Sequence, residues 1–217
     1  FYRSWVYFNE ARRCGATINL PCVNKSVYTT TIYGKDVYIG FIHLENLERS
    51  IGHHIEPERE KNGPYKGLQN FTERVPVGLE QLIILIKTGA FRFTGKSKAR
   101  LLWDAHLLLN QTKKQRAVQN KLFSVPGKGF EFPYLSYSKV EDAYDEIELL
   151  GFPVTLSYFD LLKTRFRGEV LAGDMPDYAG KKVRMAGRLV TLKYVRTVKK
   201  EIMHFGCFLD VKGEFFD

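Results

Sequence analysis

The pentapeptide Lys87-Thr88-Gly89-Ala90-Phe91 is followed by Arg92, Lys96, Lys98 and Arg100, with no acidic residue between Arg92 and Arg100. A glycine-containing turn between two helices exposes backbone N–H groups at a helix N-terminus, and beside cationic side chains these suit phosphate oxygens. The stretch therefore reads either as a phosphate track through Lys87, Gly89, Arg92, Lys96, Lys98 and Arg100 or as a solvated basic face with Phe91 and Phe93 in the core. Further along, Lys181, Lys182, Arg184, Arg188, Lys193, Arg196, Lys199 and Lys200 also occur without an intervening acid. Tyr194, His204, Phe205 and Phe208 lie nearby as candidate stacking rings, although the alternation that puts Phe205 and Leu209 on one face sends at least one of these aromatics to the core.

Bond-making chemistry finds no comparable pattern. Phosphoryl transfer on two magnesium ions needs a strand-borne pair of carboxylates, with the ions about 4 Å apart. Asp36, Asp104, Asp142 and Asp145 do not form such a pair in the sequence. His43, His53, His54, His106 and His204 fall in no nucleophile context. Cys14, Cys22 and Cys207 form no even-numbered framework and have no metal-ligand spacing, which is the usage of reduced thiols in a cytosolic protein. No catalytic residue and no metal ligand is assigned.

The elements that must position these residues follow from pattern. The 217 residues allow one large domain or two small modules, and 44% hydrophobic content is that of a folded chain. Thirty-three lysines and arginines against 24 acids leave a net charge of +9, compatible with a polyanionic partner. The acids are uneven, with a block at Glu141–Glu148. The longest apolar stretch, Leu79–Ile86, is too short to span a bilayer, and no membrane partner is expected.

Apolar spacing at Trp5, Phe8 and Ala11 predicts a helix ending at Gly15, with Trp5, like Trp103 later, anchoring its helix in the core. Two β-branched and aromatic runs around Gly34-Lys35-Asp36 predict a hairpin with strands at about 26–33 and 36–42. Asn24 is expected to serve a turn just before it. From Leu44 to Arg74 the signals are helical but short, interrupted by Pro57 and by Asn62-Gly63-Pro64. Helices at Val77–Lys87 and Ser97–Leu109 then flank the glycine turn. Asn110–Pro133 reads as an exposed connection, and an acidic helix at about 139–150 stops at Gly151. Beyond Pro176 period-2 alternation with a turn at Lys199-Lys200-Glu201 predicts a strand meander, the start of a small barrel.

The motifs in their order are Asn9–Ser26, a hairpin, Ile39–Glu48, Glu58–Val75, Leu79–Phe91, Leu149–Phe152 and a barrel opening at Val183. This order resembles the C-terminal half of the bacterial replicative DNA polymerase III alpha subunit, a C-family polymerase. The resemblance implies a fragment of a longer, cytoplasmic chain and an α+β fold: a helical, tandem helix-hairpin-helix module with a β-hairpin, then the first strands of an OB-fold. It implies four parts: the end of the fingers and the β-hairpin (1–43), the tandem module (44–110), a connector (111–176) and a partial OB-fold (177–217). The metal-binding aspartates of the parent would lie upstream. No cofactor is then expected in this piece, while the parent would use magnesium.

The resemblance also implies partners: duplex DNA at the module, single-stranded DNA at the OB-fold, the sliding clamp and other replisome subunits. Gln119-Asn120-Lys121-Leu122-Phe123 resembles the pentapeptide by which bacterial polymerases hook onto the clamp. Gln119, Leu122 and Phe123 would be its anchors. Where the family's first hairpin usually carries two glycines, this chain has Leu44-Glu45-Asn46-Leu47-Glu48, whose carboxylates oppose a phosphate. The reading from a different class is a free-standing helix-hairpin-helix and OB module that binds or helps repair nucleic acid without polymerase activity.

Overall fold

The computed structural model describes residues 2–117 and 138–217, in two compact units: Ala16–Leu156, and Phe1–Gly15 together with Ser157–Asp217. The fold is α+β, with helices and one three-stranded sheet in the first unit and a second three-stranded sheet in the other.

In the unit Ala16–Leu156, strands β1 (Thr17–Asn19), β2 (Thr31–Tyr33) and β3 (Asp36–Tyr38) are ordered β1-β3-β2. The β2–β3 hairpin turns at Gly34, whose φ of 62° suits glycine, and β1 runs parallel to β3. The strands are shorter than the runs around the turn predict. At Gly40 the chain passes so close to Thr29 that a Cβ would lie 2.2 Å from the Thr29 carbonyl carbon, and regular pairing gives way to isolated bonds such as Ile42 N–H to Tyr28 O at 2.8 Å.

Helix α2 (Arg49–Asn62) runs straight through Pro57, contrary to the expected interruption. The lost backbone donor costs helix stability. Ile51 and Ile55 are buried one turn apart on its inner face, and the Tyr65 hydroxyl donates to Ile55 O at 2.9 Å, so tertiary packing overrides the local break. Asn24 does more than serve a turn: its side chain donates to Tyr65 O at 2.9 Å and accepts from Tyr65 N–H at 2.8 Å. Around α3 (Leu68–Arg74) the core continues through Tyr65, Phe71 and Phe91, each packed edge-on against the next with centroids 5.0 and 5.1 Å apart. Helix α4 (Leu79–Lys87) buries Leu82, Leu85 and Ile86. Helix α5 (Lys98–Ala117) is longer than expected, and Trp103 on it is exposed instead of anchoring the core. Helix α6 (Lys139–Leu150) begins at Ser138, which accepts from Val140 N–H, and ends at Gly151 with φ 81°.

In the other unit, α1 (Ser4–Arg13) buries Trp5 and Val6, as its spacing predicts for Trp5. Strands β4 (Arg188–Arg196), β5 (Ile202–Leu209) and β6 (Phe215–Phe216) form an antiparallel sheet in that order. This is an open sheet and not a closed barrel. The β4–β5 turn falls at the predicted residues, with Lys200 at φ 62°, and a bulge interrupts the pairing between Leu189 and Thr191. The buried Asp210 carboxylate ties the β5–β6 turn, accepting from Lys212 and Glu214 N–H at 2.8 and 2.9 Å and from Ala172 N–H at 3.0 Å. Asn9 on α1 reaches the same turn, donating to Gly213 O at 3.1 Å.

Candidate nucleic-acid interface

The second hairpin is built by the end of α4. Gly89, at φ 77°, donates its N–H to Ile86 O and Ala90 donates to Leu85 O, both at 2.9 Å, which is a Schellman cap. The Thr88 hydroxyl adds a bond to Ile84 O at 2.9 Å. These amides therefore close the helix and do not point outward. Glycine has a second use here, because the Arg92 side chain folds over it and a Cβ would lie 2.6 Å from Arg92 Nε. Phe91 is buried, whereas Phe93 stays exposed and does not join it in the core.

Each cation of the track has a carboxylate beside it. Lys87 lies 3.0 Å from Glu148 and 3.3 Å from Asp145, both on α6. The Glu148 hydrogen bond raises the Lys87 pKa above the ordinary lysine value, with Asp145 assisting and burial opposing. Lys98 is the innermost of the set, paired with Asp142 and 2.5 Å from Asp145. Arg92 stands 3.7 Å from Glu146 and 3.9 Å from Asp142. Lys96, just before α5, and Arg100 on it share Asp104 of that helix, at 2.8 and 3.0 Å. The acidic block legible in the sequence at 141–148 is thus the counterpart of Lys87, Arg92 and Lys98, a pairing that charge complementarity alone could have suggested. The outer guanidinium and ammonium groups of Arg92, Lys96 and Arg100 still reach solvent, with side chains 40–51% exposed.

The first hairpin, entered through a short 3-10 turn at Phe41–His43, is held from within. Glu45 N–H donates to Leu149 O at 2.8 Å, and Gln81 clasps the turn by accepting from Glu48 N–H at 2.8 Å and donating to Asn46 O at 3.1 Å. Glu45 and Glu48 are exposed, so negative charge faces outward where a phosphate would have to approach.

In the C-terminal sheet the eight cations divide. The Arg188 guanidinium sits 3.8 Å from the centroid of the Trp5 ring and 3.5 Å from that of Tyr158, and burial lowers its pKa. Arg184 lies 5.0 Å over Phe166 and 3.8 Å from Glu169, and Lys181 lies 5.3 Å over Tyr178. Lys182, Lys193, Arg196, Lys199 and Lys200 are exposed, the last four along the β4–β5 arm and its turn. On one face of that arm Tyr194, 65% exposed, meets His204 edge-on at 4.7 Å. Phe205, directly across from Lys193, is exposed on the other face, while Phe208 stacks on Phe216 at 5.4 Å. The alternation that pairs Phe205 with the buried Leu209 holds for the strand, but β6 pairs only with Phe208 and Leu209, and Phe205, on the two-stranded arm, is exposed.

Gln119, Leu122 and Phe123 lie outside the described residues. Among the described residues no three His, Cys, Asp or Glu side chains are grouped to hold a metal ion, and no helix is long and apolar enough to cross a membrane. Cys14, Cys22 and Cys207 are free.

Comparison with known proteins places these features. Residues 15–101 match the helix-hairpin-helix motif family. The DNA polymerase III subunit alpha of Borreliella burgdorferi is 27% identical over 225 aligned residues, 95% of this chain, and that of Treponema pallidum is 28% identical over 96% of it. The error-prone DNA polymerase of Mycobacterium tuberculosis strain H37Rv is 32% identical over 107 residues, 48% of the chain. The chain spans between a tenth and a fifth of the length of these relatives, at 10% of the Mycobacterium protein, 20% of the Borreliella protein and 19% of the Treponema protein. Over nearly its whole length the chain is a relative of the bacterial DNA polymerase III alpha subunit, and its residues 15–101 carry a helix-hairpin-helix motif.

Proposed function

We propose that this chain is the DNA-holding, processivity portion of a bacterial replicative DNA polymerase, acting in the cytoplasm beside other replisome subunits. The observation that carries the reading is the similarity to polymerase III alpha subunits across 95–96% of the chain, with the helix-hairpin-helix match inside it. Duplex contact would use the solvent-reaching cations of the second hairpin, Arg92, Lys96 and Arg100, with Lys87 and Lys98 behind them. The first hairpin, with Glu45 and Glu48 outward, would contribute little.

Single-stranded DNA would lie along the β4–β5 arm, the OB-like part, where Lys193, Arg196, Lys199 and Lys200 can follow a backbone and Tyr194, His204 and Phe205 offer ring faces or edges to bases. Gln119, Leu122 and Phe123 would hook the sliding clamp. Nucleotidyl transfer on magnesium would belong to carboxylates elsewhere in the parent protein, and the domain boundaries would follow the four parts that the resemblance implies.

The test is a salt titration of DNA affinity. The full chain should bind both a duplex and an oligonucleotide, with the logarithm of affinity falling linearly against the logarithm of salt concentration. Lys199→Ala combined with Lys200→Ala should weaken single-strand binding more than duplex binding. A salt-independent or absent DNA affinity would overturn the reading in favour of a scaffold that binds only protein.

A further inference from the structure

We infer that α6 is a built-in competitor of DNA at the second hairpin, its outer carboxylate Glu148 occupying Lys87, a cation that a phosphate would otherwise take; this rests on the duplex contact proposed for that hairpin. The ion pairs between α6 and the hairpin form two layers. In the inner layer Lys98 joins Asp142 and Asp145, with the Lys98 side chain 19% exposed and that of Asp142 5%. Glu146 is buried beside it and accepts from Val154 and Thr155 N–H at 2.7 and 2.9 Å. Ala143, Leu149 and Leu150 are buried as well, and Leu149 O accepts from Glu45 N–H. This layer seats the helix permanently.

The outer layer is different. Glu148 bonds Lys87 at 3.0 Å with its side chain 63% exposed, and Arg92, 47% exposed, stands too far from Asp142 and Glu146 for good hydrogen bonds. An exposed pair of this kind is weakly held and easily exchanged. A phosphate oxygen approaching Lys87 therefore displaces the Glu148 carboxylate, which swings into solvent, while Asp145, 3.3 Å from Lys87 and bound to Lys98 in the inner layer, stays in place with α6. The device lowers duplex affinity without removing the cations, and its strength depends on one side chain.

The experiment measures duplex affinity of the full chain across a range of salt concentrations for the parent, Glu148→Gln, Lys87→Gln and Arg92→Gln, and for the last two each combined with Glu148→Gln. Melting curves check that each is folded. Glu148→Gln should tighten binding about three- to tenfold and steepen the salt slope by about 0.9, the signature of one additional phosphate contact. Lys87→Gln should cost more in the Glu148→Gln background than in the parent. Glu141→Gln, which removes an exposed carboxylate on the same helix, should do neither.

If Glu141→Gln tightens binding as much as Glu148→Gln, the effect is bulk charge and the competition is overturned. It is overturned equally if Lys87→Gln weakens the parent while Glu148→Gln changes nothing, a result that leaves the hairpin contact standing. If Lys87→Gln and Arg92→Gln both leave duplex binding unchanged in either background, the hairpin contact itself fails and the competition falls with it.

Discussion

The guanidinium of Arg188 lies 3.8 Å from the centroid of the Trp5 ring, joining the first residue of β4 to the first turn of α1. Tyr158 closes the other side at 3.5 Å, so a cation within the most basic stretch of the chain is enclosed by aromatic faces. A guanidinium is planar and weakly hydrated, which suits it to this place better than an ammonium. Arg188→Ala should therefore act on stability, costing about 1–3 kcal/mol through lost stacking and stem packing. Its effect on DNA affinity should be smaller than that of Lys199→Ala. Denaturant unfolding followed by Trp5 fluorescence in a Trp103→Phe background would measure this, and an unchanged midpoint would show the stack to be incidental.

Glu146 is 1% exposed and accepts from the N–H groups of Val154 and Thr155 at 2.7 and 2.9 Å, and also from the Thr155 hydroxyl. It fastens the turn after α6 back onto the helix. Glu146→Ala would leave two backbone donors and the Thr155 hydroxyl without this acceptor, and each buried donor left unmet costs about 1–3 kcal/mol. A fall in melting temperature larger than that of Glu148→Gln is expected, with Glu146→Gln, which keeps one acceptor oxygen, intermediate. Equal melting temperatures for the alanine variant and the parent would show that water replaces the carboxylate.

Glu58 offers a pH dependence. Its carboxyl is held below the ordinary value of 4.5, first by the hydrogen bond from Arg74 at 3.0 Å and then by that from Asn62 at 2.7 Å. A depressed folded value contributes stability that is present above the ordinary value and is lost as pH falls through the folded one. The parent should therefore lose urea resistance in the acid range below 4.5, and Glu58→Gln should show a shallower loss there while being weaker at neutral pH. Parallel acid limbs for the two proteins would count against this assignment.

What could be read from residue order was local. The helix ending before Gly15, the turn at Lys199-Lys200-Glu201 and the acidic helix stopping at Gly151 each follow from spacing and a terminating residue, and all three stand in the structure. What escaped was decided by distant partners. Pro57 sits inside α2 because burial of Ile51 and Ile55 outweighs a missing donor, and the strands stop short at Gly40 because Thr29 crosses it at close range. Arg188 looked like its neighbours in the basic stretch, since nothing in the local sequence connects it with Trp5. The pairing of the basic track with α6 was half visible: both charge blocks could be counted, but only the fold brings Lys87 to Glu148.

The proposed clamp hook is testable without any geometry. Leu122 and Phe123 are an adjacent apolar pair in a basic connection, and Gln119 precedes them at the spacing at which an amide could bond a pocket rim while the two apolar side chains fill it. A short anchored segment of this kind concentrates its binding energy in few residues, so removing all three side chains should abolish binding instead of grading it. Calorimetric titration of the full chain with a bacterial sliding clamp should give micromolar or tighter affinity, and the Gln119→Ala, Leu122→Ala, Phe123→Ala triple variant should give no heat while keeping the parent's melting temperature and DNA affinity. Retained clamp binding in that variant would move the contact elsewhere on the chain. Absence of heat for the parent would remove the clamp from the proposed partners and leave the proposed DNA contact to stand alone.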